Sequence, residues 1–175
     1  MNIRATTPKD IDAVMAIIEE ARGTIAALGI DQWQNGSPNR AMIEEDIALG
    51  QGYCVEAEGA VIGTFALLEN GEPTYDPICD GEWQTPDHRK DGTAAYLAIH
   101  RVAISVACRG SGISTAIINH AADTARRLGR GSLRIDTHRD NAPMRRALEK
   151  YGFAYCGIIH LASGDARIAF HKTRR

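Results

Sequence analysis

The sequence predicts a mixed α/β sheet with helices on both faces. Three observations lead there. Apolar residues alternate at a period of two in some stretches and at three-to-four in others. Glycine and proline fall at the joints between those stretches. The resulting order, strand–helix–helix–strand–strand and then strand–helix–strand–helix–strand–strand, alternates element types as mixed sheets do. A chain of 175 residues, 44% hydrophobic and 24% charged, fits one domain around one core, spanning residues 1–175.

Residues 2–5 form a short first strand. Thr7-Pro8-Lys9-Asp10 reads as a helix start, with a capping threonine, a proline at the first helical position and an acid at the positive end of the dipole. Ile11, Val14, Ile18, Ala21, Ile25 and Leu28 then trace one helical face, and Gly29 stops it. Ser37 and Pro38 open a shorter helix that reaches about Leu49. Residues 50–58 and 60–68 read as two strands around Glu58-Gly59. Residues 69–93 are rich in Gly, Pro and Asp and lack a period; so long a loop is expected to be functional or mobile. A β-prone run follows from Ala94. Residues 111–128 are helical, with Ile113, Ile117, Ala121, Ala125 and Leu128 on one face. Residues 132–138 form a strand whose Leu133, Ile135 and Thr137 oppose Arg134, Asp136 and His138. Residues 141–151 form a short helix with Met144, Ala147, Leu148 and Tyr151 inward, ended by Gly152. Strands near 153–161 and 166–173 close the chain around Ser163-Gly164-Asp165.

Composition excludes several classes. No apolar run approaches the length of a membrane span, and MNIRATTPKD lacks the apolar segment of a signal peptide, so a cytoplasmic location is expected. Cys54, Cys79, Cys108 and Cys156 are widely spaced and form no C-x-x-C pair, so neither a metal site nor a disulfide framework is expected. Nothing calls for nucleic acid or a membrane as partner. Charge is divided: residues 1–91 hold 6 Lys/Arg against 17 Asp/Glu, residues 92–175 hold 14 against 5. Such asymmetry points to different partners for the two halves, or to solvated faces that neutralise each other.

The strongest local signal is strand, then Arg109-Gly110-Ser111-Gly112-Ile113-Ser114, then helix. Glycines let the backbone turn sharply and approach a ligand. First-turn amides have no partner inside the helix and, with the dipole, make an anion cradle. Position 115 is Thr where G-x-G-x-x-G needs glycine, and no G-K-[ST] follows, which excludes the dinucleotide fingerprint and the P-loop.

The stretch VAISVACRGSGIS resembles the acetyl-CoA motif of the GNAT family of N-acetyltransferases, [QR]-x-x-G-x-[GA] after an apolar strand. About twenty-seven residues after Ser114, NAPMRRALEKYGF resembles the family's second motif, an Asn-capped helix ending in Gly-Phe. The resemblance runs from about Ala95 to Ile159. It implies a mostly antiparallel sheet of about six to seven strands, with a splayed strand pair holding CoA. It implies acetyl-CoA as acyl donor, without a metal, and a small-molecule amine or a peptide as acceptor. By the same resemblance, the backbone of Val102, Ala103 and Ile104 takes the pantetheine arm like an added strand. Arg109, Gly110, Ser111, Gly112, Ile113, Ser114 and Thr115 form the pyrophosphate loop, and Asn141 touches the cofactor near its pantetheine. Arg145 or Arg146 pairs with CoA phosphates or is an ordinary solvated helix residue. Homodimers are common in the family, which leaves the oligomeric state open.

Three positions depart from the family pattern. Ser114 stands where a Gly or Ala is usual and keeps its amide. Val106 replaces a frequent Pro. Leu148 replaces the Tyr that often protonates the departing thiolate, and Tyr151 lies elsewhere on that helix. Acyl transfer also needs an amine without its extra proton. His100, on the strand before the loop, is the first candidate base; relatives carry a His or Glu there, and period two puts His100 on the face of Ala98, Val102 and Ile104. The alternative is a histidine packed in the sheet. His138 is the second candidate for proton transfer.

Trp33 either walls an acceptor pocket or anchors its loop, and Trp83 is a candidate lid residue. The tail Lys172-Thr173-Arg174-Arg175 reads as a frayed end. The acids of residues 69–91 suggest a field that attracts a cationic acceptor. The competing function classes are a non-catalytic acyl-CoA sensor of the same family and an unrelated nicotinamide enzyme.

Overall fold

The computed structural model describes residues 1–173. In chain order the elements are β1 (Asn2–Ala5), α1 (Ile11–Ala27), α2 (Arg40–Ala48), β2 (Gly52–Ala57), β3 (Ala60–Leu68), β4 (Tyr96–Ile104), α3 (Ile113–Arg127), β5 (Ser132–Thr137), α4 (Ala142–Lys150), β6 (Ala154–His160) and β7 (Ala166–Thr173). The element order read from the sequence, and the mixed class with it, are those of the structure. The strands join one open seven-stranded sheet in the order β1-β2-β3-β4-β5-β7-β6. β1–β2, β2–β3, β5–β7 and β6–β7 pair antiparallel, and β4–β5 pair parallel.

Backbone contacts divide the chain into two compact units: Met1–Leu67 with His100–His120, and Leu68–Ile99 with the part from Ala121 onward. In the first unit, α1 and α2 bury Ile11, Val14, Ile17, Ile18, Ala21 and Ile43 in one cluster with Ala103 of β4. The predicted face of α1 holds through Ala21 and then runs out: Leu28 is 49% exposed. Gly29 closes the helix at φ 73°, a value that favours glycine. The entry to α1 is fixed by Asp10, whose Oδ2 accepts from the Thr7 amide at 2.8 Å and the Thr7 hydroxyl at 2.7 Å. The guanidinium of Arg4 grips the same carboxylate in two bonds of 2.8 and 2.9 Å and holds its pKa far below the usual carboxylate range. α2 starts later than Ser37: Asn39 is its cap, with Oδ1 accepting from the Met42 amide at 3.1 Å.

The second unit corrects the reading of residues 69–93. That segment is packed, although its composition suggested mobility. Tyr75 is fully buried with Tyr96, Ala98, Ile159 and Ala169, and Trp83 packs against them. Cys79 exchanges both backbone hydrogen bonds with Ile158 of β6, at 2.9 and 2.8 Å. Two residues on, a Cβ at Gly81 would meet the Cys156 carbonyl oxygen at 2.0 Å, so this close approach requires glycine. Arg134 of β5 is wholly buried beneath the same segment. Its guanidinium lies 4.0 Å from the ring centre of Tyr96 and 4.2 Å from that of Trp83, and it donates to Asp87 Oδ1 at 2.6 Å and the Thr85 carbonyl at 2.7 Å. The ladder from β4 to β5 runs through Tyr96↔Ser132, Leu97↔Leu133 and Ala98↔Arg134. On its other edge β5 pairs with β7 along its whole length, Ser132↔Thr173 to Thr137↔Ile168.

Candidate active site

The phosphate-loop candidate lies in the first unit. β4 ends at Ile104, and the chain makes a short 3₁₀ turn at Val106–Cys108 before the loop. The Ser105 amide donates to the Ile62 carbonyl at 3.0 Å, tying the strand end to β3. α1 holds the turn from the other side: Glu20 Oε2 accepts from the Val106 amide at 2.8 Å and the Ser105 hydroxyl at 3.1 Å. Arg109 Nη2 donates to Thr24 Oγ1 at 2.9 Å, one helical turn further along α1.

Gly110 and Gly112 have φ of 80° and 84°, which an L residue adopts only with strain. A Cβ at either would meet nothing within 4 Å. These glycines are therefore needed for their backbone angles and open onto space a ligand can use. The Ala116 amide donates to the Gly112 carbonyl at 3.1 Å, which places Ile113, Ser114 and Thr115 in the first turn of α3. The helix behind them is 15 residues long, enough for a full dipole at its N-terminus. Ile113, 2% exposed, pins the helix start to the sheet. Gly63 of β3 permits this, since a Cβ there would come within 3.3 Å of Ile113 Cγ2 and 3.4 Å of Val55 Cγ2. Left-handed glycines, the N-terminal turn of a helix and a neighbouring arginine suit an anionic phosphate group.

Val102 and Ile104 of β4 are half-buried and Ala103 is buried. His100 is half-buried in the same strand, and period two carries it to the face of Ala98 but no further along the strand. Arg101 has φ 53°. A left-handed residue turns the chain out of the pleat, so the face of His100 cannot be inferred from Val102 and Ile104. Arg101 reaches α2, where Nε donates to Asp46 Oδ2 at 2.7 Å and Nη2 donates to Oδ1. Sequence reasoning missed this pair, together with Glu20 and Thr24. A half-polar strand and the polar face of a helix give no sign of such partners.

The second unit holds the remaining candidates. Asn141 caps α4, with Oδ1 accepting from the Met144 amide at 3.2 Å. His138 Nδ1 accepts from the Asp140 amide at 3.2 Å, which places the proton of the neutral ring on Nε2. Leu148 is 1% exposed and belongs to the core. Tyr151 lies at the C-terminal end of α4, and its carbonyl accepts from Lys172 Nζ at 2.7 Å. Lys172 and Thr173 are thus part of β7 and not a frayed end; Arg174 and Arg175 lie outside the described residues. Arg145 and Arg146 are exposed on α4, and Arg145 Nη1 donates to the Arg139 carbonyl at 3.1 Å.

Trp33 packs against the α1–α2 cluster, with Arg22 Nε bonded to its carbonyl at 2.8 Å, so it anchors its loop. Trp83 Nε1 donates to the Tyr75 carbonyl at 2.6 Å and its ring packs over Arg134 and against the Tyr75 cluster, so it is held in place and not a lid. Of the loop acids, Glu72 accepts from Thr74, Asp87 from Arg134 and Asp91 from Thr93, while Asp76, Asp80 and Glu82 are exposed. All four cysteines are free thiols. Among the described residues no group of three or more His, Cys, Asp or Glu could hold a metal, and no helix is long and apolar enough to cross a membrane.

An open mixed sheet, with a glycine turn at a helix N-terminus following its parallel-paired strand, defines an α/β protein of the mixed-sheet class. Comparison with known proteins makes this specific. The sequence pattern of the acetyltransferase (GNAT) family matches residues 14–153. A GNAT-family acetyltransferase from Streptococcus agalactiae 2603 superposes with a TM-score of 0.86 at 36% identity, over 99% of this chain and 95% of that one. The chain belongs to the GNAT acetyltransferase family. Streptothricin acetyltransferase of Streptomyces lavendulae is 39% identical over 62 residues, 35% of this chain; the match spans only a third of that relative's length, 33%. The GNAT-like decarboxylase GphF, solved in complex with isobutyryl-CoA, shares the fold with a TM-score of 0.70 at 16% identity, over 100% of each chain.

Proposed function

We propose that the protein, as one N-acetyltransferase domain over residues 1–175, transfers an acetyl group from acetyl-CoA to a primary amine. The amine attacks directly in a ternary complex, in the cytoplasm. The observation that carries this reading is the pair of left-handed glycines, Gly110 and Gly112, opening onto free space at the N-terminus of α3. Acetyl-CoA supplies the acyl group activated as a thioester. The amides from Gly110 to Thr115 hold its pyrophosphate, and the backbone of Val102, Ala103 and Ile104 orients the pantetheine arm. Asn141 caps α4 and is the further candidate contact to the cofactor.

An amine with pKa near 10.4 is almost wholly protonated at neutral pH. His100 is the candidate that takes its proton, directly or through a water, as the nitrogen–carbon bond forms and the carbon–sulfur bond breaks. The departing sulfur needs a proton in return. Leu148 has none to give, and water or His138 supplies it. The streptothricin acetyltransferase relative favours a small-molecule amine over a peptide.

The test is release of free CoA thiol from acetyl-CoA with streptothricin, polyamines, lysine and N-terminal peptides as acceptors. Thiol release that depends on one of these amines, with an equal yield of acetylated product, is expected. The buried Leu148 favours one second reading, a non-catalytic acyl-CoA sensor. Tight acetyl-CoA binding without thiol release for any amine would establish it.

A further inference from the structure

Arg101 is a left-handed residue inside a strand, and its side chain ends in a buried ion pair. Non-glycine residues at positive φ are strained and persist only where the surroundings hold them. Here α2 does so. The fork of Arg101 meets the carboxylate of Asp46 in two bonds, Nε to Oδ2 at 2.7 Å and Nη2 to Oδ1. The two side chains are 14% and 5% exposed. Gln51 Nε2 donates to Asp46 Oδ1 at 3.0 Å, completing the shell of the carboxylate. Two bonds in a fixed fork constrain direction as well as distance.

Asp46 is badly placed for stability alone. It lies in the last turn of α2, where the helix dipole disfavours a negative charge, and it is buried. An apolar pair of similar volume often serves a core as well as a buried ion pair does. What the ion pair adds is a defined position for Arg101. That residue sits between His100 and the Val102–Ile104 backbone, the groups assigned to the amine and to the pantetheine arm.

We propose that Arg101 and Asp46 are positioning residues for acyl transfer: their ion pair clamps β4 in its interrupted form and so sets the direction of His100 and of the 102–104 backbone. The inference rests on the functional reading above. The cradle from Gly110 to Thr115 is held separately, by Glu20, Thr24 and Ile113. Loss of the clamp therefore lowers turnover while leaving the grip on acetyl-CoA in place.

Two variants separate this role from mere stability. Arg101→Gly accepts the left-handed angle without strain. The double variant Arg101→Met with Asp46→Leu leaves no unpaired buried charge. For each, kcat, the acetyl-CoA Kd by calorimetry and amide hydrogen exchange across residues 99–104 are measured against the native protein, below the melting transition. The expected result is a kcat at least tenfold lower, a Kd within threefold, and exchange at 99–104 at least tenfold faster. Arg101→Lys, which keeps the charge but loses the fork, falls between. Folded variants with kcat and exchange both within twofold of the native protein would overturn the proposal. A native protein that binds acetyl-CoA but acetylates no amine would remove the functional reading instead, and the exchange measurement would still decide whether the pair clamps the strand.

Discussion

Replacing Gly112 with Asp and with Asn tests the phosphate cradle with one pair of nearly isosteric side chains. Both must adopt φ 84°, at about 1–2 kcal/mol for an ordinary L residue and less for Asn or Asp, which tolerate this region. Both add a Cβ that meets nothing within 4 Å. They differ in charge. A carboxylate about 5 Å from a bound phosphate, at an effective dielectric of about 20–40, opposes it by about 2–3 kcal/mol, or about 30–150-fold in affinity. In the free protein the same carboxylate lies at the start of α3, where the dipole favours it by about 0.3–1 kcal/mol. The Asp variant is thus expected to melt within a few degrees of the native protein while binding acetyl-CoA at least about 30-fold more weakly than the Asn variant. Calorimetry at moderate salt, with circular dichroism to follow melting, measures both. Equal affinities in folded Asp and Asn variants would refute the placement of phosphate at this loop.

His100→Ala is expected to lower kcat at pH 7 by about a hundredfold or more and to lose less at high pH, where free amine is abundant; an unchanged pH–rate profile would make His100 structural. Asp10, held ionised by Arg4 and Thr7, contributes stability that is full above the ordinary carboxylate pKa of about 4 and is lost as pH falls toward its lowered native value. Asp10→Asn is therefore expected to cost about 1–2 kcal/mol at pH 7, and the gap in melting temperature from the native protein should begin to close only below about pH 4 and shrink further as pH falls. Arg134→Met removes two cation–ring contacts and the bond to Asp87, and is expected to destabilise by about 2–4 kcal/mol and to open residues 76–87 to proteolysis. Changing Asp76, Asp80 and Glu82 to their amides should lower kcat/KM for a cationic acceptor at low salt and leave it unchanged at high salt, because the field of exposed acids is screened by salt.

The parts of this molecule that sequence reasoning reaches are those whose causes are local. Ile113, Ile117, Ala121 and Ala125 are all buried because helical period alone aligns them. Gly29 and Gly152 end their helices at positive φ, as glycines after an apolar run do. The Arg109–Thr115 turn belongs to the same class: its proposed working groups are backbone amides, which a strand, two glycines and a helix start suffice to orient. Residues 69–93 show the limit. Their glycines, prolines and acids suggest mobility, yet Tyr75 and Trp83 decide the outcome through contacts with Tyr96 and Arg134 that no period encodes. Arg134 looks like the outward member of an alternating strand and is wholly buried, because partners supplied from residues 83 to 96 surround its charge.

The same distinction separates the proposed cofactor loop from the candidate base. A cradle of amides is fixed by adjacent residues, whereas a base is a side chain whose direction depends on every dihedral before it. At His100 that dependence is concentrated in its neighbour. The φ of 53° at Arg101 breaks the period between His100 and Val102, and it is accompanied by an ion pair to Asp46, 55 positions away in the chain. Nothing within a few residues of His100 reports that partner. A strand read only by its alternation therefore carries a face no further than the residue at which its pleat is interrupted.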